Sequence, residues 1–308
     1  MNRIKGYIYA AVAAATYGTN PAFAVPLYEH GMNANSVLLF RYPLGLPFLA
    51  VMIFARGRSL RLSKHEVLPV AVLGVLMAVS SLSLFESYNY MNSGVASTLL
   101  FVYPVMVAVL MAFFFHEKFH LSTGLCLLLM AIGLLLLMRD DSGQPAGLFG
   151  CALVMLSSLT YALYLVMVNV SRIVRGIPTL KLLFYVLLFG SGVFVFAIIA
   201  GSELTLPREP FEWFNLGGLA FFPTVVSLIF TTLAIQSIGS TPTAIFGAFE
   251  PVTAVVLSVV VLGQGITGRE IVGGVFILVA ATIVVIGAPV DNALLRVRKM
   301  FPSLRQRS

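Results

Sequence analysis

Apolar residues run along this chain in blocks of about 20, broken by short polar stretches. A helix of that length crosses a hydrocarbon core of about 30 Å, so each block reads as a membrane span. The pattern predicts spans at about 6–28, 34–55, 67–88, 94–115, 121–138, 147–168, 178–200, 213–236, 242–262 and 268–288. The longest connection, GSELTLPREPFE (201–212), carries proline and charges that keep it out of the bilayer. No connection has room for a soluble domain. The N-terminal stretch MNRIKGYIYAAVAAATYG starts like a signal peptide, but its apolar pattern continues through Ala24, so it reads as the first span. The predicted fold class is an all-α polytopic membrane protein with ten transmembrane helices.

Composition agrees. The 308 residues are 59% hydrophobic and 10% charged, against about 25% charged in soluble domains. The net charge of +7 is a signal of topology, since the short connections offer no basic groove for nucleic acid. With the N-terminus inside, the cytoplasmic segments hold Arg3, Lys5, Arg56, Arg58, Arg61, Lys64, Lys118, Arg172, Arg175 and Lys181. The tail adds Arg296, Arg298, Lys299, Arg305 and Arg307, and the outer loops hold only Arg139, Arg208 and Arg269. This bias predicts both termini in the cytoplasm. Cys126 and Cys151 form no CxxC pair and fall near opposite membrane faces, so they read as small buried hydrophobes.

The second half repeats the first. ATYG (15–18) aligns with LTYA (159–162), and LLFRY (38–42) with LLFYV (182–186), at an offset of 144. VYPVMVAVL (102–110) aligns with FEPVTAVVL (249–257) at 147, matching Pro104 to Pro251. The expected units are residues 1–140, residues 145–288 and a basic cytoplasmic tail, 289–308. Five spans per unit reverse the second unit in the membrane. Such inverted repeats are common in secondary transporters, which bind substrate near the midplane between the halves. The repeat matches Arg41 to Tyr185, Glu250 to Tyr103 and Tyr17 to Tyr161. A cavity between these residues has one cation, one anion and phenols on aliphatic walls, which suits a small zwitterion or amphipathic metabolite.

Two longer stretches carry a family resemblance: NSGVASTLLFVYPVMVAVLMAFFFHEKFHLSTGLCLLLMAIG (92–133) and STPTAIFGAFEPVTAVVLSVVVLGQGITGREIVGG (240–274). They resemble the closing parts of the two repeats of the EamA family in the drug/metabolite transporter superfamily. Arg41 in FRYPLG and the pair Glu250-Pro251 resemble the family's second-helix arginine and ninth-helix Glu-Pro. The resemblance implies ten helices, cytoplasmic termini, a bacterial inner membrane, and transport, often outward, of amino acids or related metabolites. One position departs from it: the acid that usually closes the ninth helix is Gln264, while Glu117 keeps it in the first repeat.

The polar residues inside the spans are the candidate site. A carboxylate in Thr243–Leu262 is expensive and marks function by default. Pro251 cannot donate an N–H and clashes with the carbonyl of Gly247, which predicts an opened backbone beside Glu250, the candidate proton carrier. Arg41 has two readings, a bidentate ligand for a substrate carboxylate or a static bridge to Glu86. In TYGTNPAF (16–23), Pro21 interrupts span one and frees the carbonyl of Tyr17, leaving Tyr17 and Asn20 at a kink. Tyr103, Tyr161 and Tyr185 complete the expected substrate-binding set, with kinks at Pro21, Pro104 and Pro251.

HEKFH (116–120) fits the zinc-protease pattern HExxH. That chemistry needs a third ligand and room for water, and only His65, from a neighbouring loop, is within prospect. The motif sits at a span junction with Lys118 inside it, so it reads as polar residues ending a helix, and no metal is expected. No phosphate-binding glycine loop is present, so no nucleotide or other cofactor is expected. The expected partners are a small-molecule substrate and the lipid bilayer. An intramembrane zinc metalloprotease and a non-transporting membrane scaffold are the alternatives. The internal charges speak against the scaffold.

Overall fold

The fold is taken from a computed structural model, which describes residues 3–115, 125, 128–129, 132–133, 136, 147–238, 247 and 249–286. The first span is two helices, α1 (Arg3–Tyr17) and α2 (Asn20–Glu29). α3 (Ala34–Ala55) and α4 (Lys64–Ser87) follow, and the fourth span is again divided, into α5 (Ser93–Leu100) and α6 (Tyr103–Phe115). Next come α7 (Leu148–Val170), the short α8 (Arg172–Arg175) and α9 (Thr179–Ile199). α10 (Pro210–Ala220) passes through a widened π turn, Phe221–Val226, into α11 (Ser227–Ile238), and α12 (Phe249–Val260) and α13 (Gly268–Ile286) end the described chain. Among the described residues, five helices are long and apolar enough to cross a membrane: α3, α4, α7, α9, and α10 with its continuation. The predicted fifth span, most of the segment before α12, and the tail lie largely or wholly outside the described residues.

Local chemistry sets the ends and breaks. Asn33 caps α3 by accepting from the Ser36 amide at 2.8 Å. Ser63 and Glu66 form a reciprocal capping box on α4. Asn92 caps α5 through the amides of Gly94 and Val95. The first span breaks at Gly18–Thr19, just before Pro21, as its lost N–H predicts. α6 begins at Tyr103 with Pro104 as its second residue, where a missing amide costs no helical bond. The π turn surrounds Pro223 and was not anticipated. Proline there cannot continue the four-residue ladder, and the Thr224 hydroxyl donates to the Leu219 carbonyl at 3.0 Å instead.

The packing comes in matched pairs. α4 lies on α7, and α11 lies on α1; α4 lies on α9, and α10 lies on α3; α3 lies on α9, and α5 lies on α12. On the expected alignment of the two halves, each of the first two couplings exchanges with its partner, and the last two contacts each map onto themselves. The hydrogen bonds at these joints correspond as well. Ser80 donates to the Ser157 carbonyl at 3.0 Å. Ser227, which the expected alignment matches to Ser80, donates to the Ala13 carbonyl at 3.0 Å, and the same alignment matches Ala13 to Ser157. A buried core joins α2, α3 and α4 to α5, α9 and α10 around Leu38, Phe85, Leu99, Phe194 and Leu216. Large apolar side chains such as Leu68, Phe113, Phe196 and Ile199 face outward, where a bilayer solvates them.

Candidate functional site

Arg41 is buried in the N-terminal half of α3. Its Nε donates to Thr224 Oγ1 at 3.2 Å, and its guanidinium carbon lies 5.2 Å from the Phe85 ring centroid, a cation–π contact. The partner comes from the π turn, 183 residues away. No ion pair joins Arg41 to Glu86, so the static bridge is not formed. The guanidinium keeps N–H donors beyond the one that Thr224 accepts. Arg41 also lines a narrow cavity with Tyr17, Tyr42, Ser81, Tyr164 and Pro223, walled by Met77, Leu183, Val186, Leu187 and Leu228.

Glu250 is the second residue of α12, with Gly247 in a turn just before it and Pro251 in the first turn of the helix. Proline is at home there, since first-turn amides have no helical partner. The Glu250 amide donates to the Gly247 carbonyl at 2.9 Å, a three-residue turn at the start of the helix. The carboxylate is half-buried and accepts no hydrogen bond from a described residue. A carboxylate at a helix N-terminus gains from the helix dipole, and among the described residues no basic side chain forms an ion pair with it.

The break in the first span brings these residues together. At Gly18 the chain passes so close to α12 that an added Cβ would meet the Glu250 carbonyl at 2.5 Å and the Thr253 Cβ at 2.7 Å. The carbonyl freed by Pro21 is taken locally: Asn20 Nδ2 donates to the Tyr17 oxygen at 2.9 Å. Thr19 donates likewise to Thr16 at 2.6 Å. Tyr17 then lies in the electric field of both Arg41 and Glu250. So does Tyr88, just past the C-terminal end of α4, whose ring packs on Phe85 with centroids 5.5 Å apart.

The other expected residues divide. Tyr103 and Tyr161 meet edge-to-face with centroids 4.8 Å apart, and Glu250 acts electrostatically on both. Tyr185 is not brought to this group. Its hydroxyl donates to the Leu60 carbonyl in the loop between α3 and α4, and its ring packs on Phe184 and Phe189. Sequence reasoning missed Tyr88 and Thr224. Tyr88 is the last residue of the predicted span 67–88, in the polar run SYNYMNSG, and only Pro223 in FFPTVV hints at the turn that presents Thr224.

Gln264 lies in the turn after α12 and joins it to α5. It accepts from the Ser93 hydroxyl at 2.9 Å and the Ser93 amide at 3.3 Å. Ser93 also shares a hydrogen bond with Ser258 at 3.1 Å, and Asn92 Nδ2 donates to the Gly265 carbonyl at 2.9 Å. The counterpart Glu117 and the rest of HEKFH, with His116 and His120, lie outside the described residues.

The sequence model of the EamA-like transporter family matches residues 4–139 and again 148–286. The chain belongs to the EamA-like transporter family. Among curated relatives, an uncharacterized transporter of Clostridium kluyveri is 21% identical over 91% of this chain and 92% of its own length. The uncharacterized transporter YyaM of Bacillus subtilis is 21% identical over 95% of each chain. A solved crystal structure superposes with a TM-score of 0.67 at 18% identity, covering 95% of this chain and 99% of that one, a likeness of fold alone. Like other members of the family, the protein is an integral membrane transporter built from apolar helices.

Proposed function

We propose that this EamA-like protein is a secondary transporter that exports small amphipathic metabolites, amino acids or their derivatives, across a bacterial inner membrane. Ten spans form two inverted five-span repeats, 1–140 and 145–288, with both termini and the tail in the cytoplasm. Substrate sits between the repeats, with Arg41 on one side and Glu250 on the other, and the halves rock to expose it to each face in turn. Glu250 carries a proton in exchange.

One observation carries this reading. Tyr17 lines the same cavity as the buried Arg41 guanidinium, the adjoining Gly18 packs against the turn of α12 that carries Glu250, and the two charged residues form no ion pair with each other. Unpaired internal charges of opposite sign are expensive in a membrane, and a zwitterion offsets both at once. The matched packing pairs and the corresponding serine bonds support the repeat. The two separate family matches, one per half, agree with it.

The test is untargeted metabolite profiling of the medium from cells overexpressing wild type or Glu250→Gln at equal membrane abundance. A few amino-acid-like compounds should accumulate outside with wild type alone. Indistinguishable media would remove the export reading. Zinc content of the purified chain tests the metalloprotease alternative: one zinc per chain, lost in His116→Ala, would revive it.

A further inference from the structure

Polar atoms buried at membrane depth almost always find a partner. Among the described residues three side-chain atoms do not: Oδ1 of Asn20, Oδ1 of Asn35 and the hydroxyl of Tyr88. Asn35 lies one turn into α3 and donates through Nδ2 to the Phe194 carbonyl at 3.4 Å, at the seam with α9. The other two border the charged groups described above.

Tyr88 belongs to the Arg41 side. Its ring packs on Phe85, the same ring that lies under the guanidinium. A hydroxyl that can donate thus stands beside a cation that has donors to spare. Both are suited to one acceptor of negative charge. Asn20 belongs to the Glu250 side. Its Nδ2 is committed to the Tyr17 carbonyl at 2.9 Å, which fixes the amide and leaves Oδ1 as a buried acceptor. Gly18, two residues before, packs against the turn of α12 that starts at Glu250, so this acceptor and the residue that bears the carboxylate flank the same helix contact. Both are suited to one donor of positive charge.

We propose that Tyr88 and Asn20 are the neutral recognition groups of a zwitterion site: the Tyr88 hydroxyl donates with Arg41 to a carboxylate, and Asn20 Oδ1 accepts with Glu250 from an ammonium. The assignment rests on the transport reading above and deepens it by orienting the substrate, acid end toward α3 and α4, amine end toward α2 and α12. Compounds that lack either charged end leave one of the two orphaned atoms, and one buried charge, unmatched. They bind more weakly for that reason, as sites built around buried polar groups reject ligands missing the complementary group.

The aliphatic walls beside Arg41 select the probes: L-leucine, 4-methylpentanoate, which lacks the amine, and isoamylamine, which lacks the acid. Binding to the purified full chain in detergent is followed by the fluorescence of its one tryptophan, Trp213, and by calorimetry. Tyr88→Phe should weaken L-leucine and 4-methylpentanoate by about tenfold to a hundredfold, the usual effect of losing a hydrogen bond to a charged group, and leave isoamylamine unchanged. Asn20→Ala should weaken L-leucine and isoamylamine and leave 4-methylpentanoate unchanged. Equal loss of all three probes in either variant would mark a structural role and overturn the assignment for that residue. L-leucine binding unmoved by both variants would overturn it while sparing the transport reading. No binding of any probe to wild type would overturn the zwitterion site together with the reading it rests on.

Discussion

Two corners of the molecule hold corresponding places in the proposed repeats and are built differently. At one, Tyr103 meets Tyr161 edge-to-face at 4.8 Å. At the other, Glu250 stands beside Tyr17 with no hydrogen bond from a described residue. The aromatic pair is complete in itself, contributing about 0.5–1.5 kcal/mol beyond its burial. The acid is not complete, and its neighbour Gly18 stands where the other repeat has Ala162. The same contrast separates Arg41, held at the centre by Thr224 and Phe85, from Tyr185, tied to a loop carbonyl. The joints are duplicated and the charges are not. On the proposed reading, polar groups that recur in both halves, such as Ser80 and Ser227, hold helices together, and those present once handle substrate.

The sharpest way to break the contrast is to make the two corners alike. Glu250→Tyr, matched for membrane abundance, should reduce export by at least tenfold, whereas Tyr103→Phe keeps the ring contact and most of the export. Equal losses in the two would mean that the corners do not differ in function. Glu250→Gln is subtler: wild-type export should vary with pH, and the variant's should not. Parallel pH profiles would remove the proton from the mechanism.

Gly18→Ala copies the other corner's backbone. With a Cβ 2.5 Å from a carbonyl and 2.7 Å from Thr253, it should destabilise the protein by about 1–3 kcal/mol, the range for overpacking. The reverse change, Ala162→Gly, should cost only about 0.5–1 kcal/mol. Thermal unfolding in detergent orders the pair, and the opposite order would contradict the close approach at Gly18. Tyr185→Phe gives up one hydrogen bond, worth about 1 kcal/mol, and should leave export intact. Ser80→Ala and Ser227→Ala should each lower stability by about 0.6 kcal/mol, typical of hydrogen bonds between membrane helices. Markedly different values for these two would argue against matched joints.

The sequence carried the scaffold further than the site. Spans were legible because an apolar run of membrane length has few other meanings: the predicted 34–55 is α3 to the residue, and 178–200 falls within one residue of α9. Arg41 and Glu250 stood out because a charge in such a run is costly wherever it points. Orientation was not legible in the same way. Alignment put Tyr185 level with Arg41, but the turn of the helix sends its hydroxyl to Leu60. Nor does any local pattern link Thr224 to an arginine 183 residues earlier, or mark the tyrosine at the end of α4 as different from its polar neighbours.

The joint between α5 and the turn after α12 consists of amides and hydroxyls: Asn92, Ser93, Ser258 and Gln264. An acid at Gln264 would make part of that joint an ion–dipole contact, open to dissolved ions, which screen exposed charge over about 10 Å at 0.1 M. With glutamine there, ionic strength has no net charge to act on. On the proposed topology this is the outward end, so its grip is the same in dilute and briny surroundings.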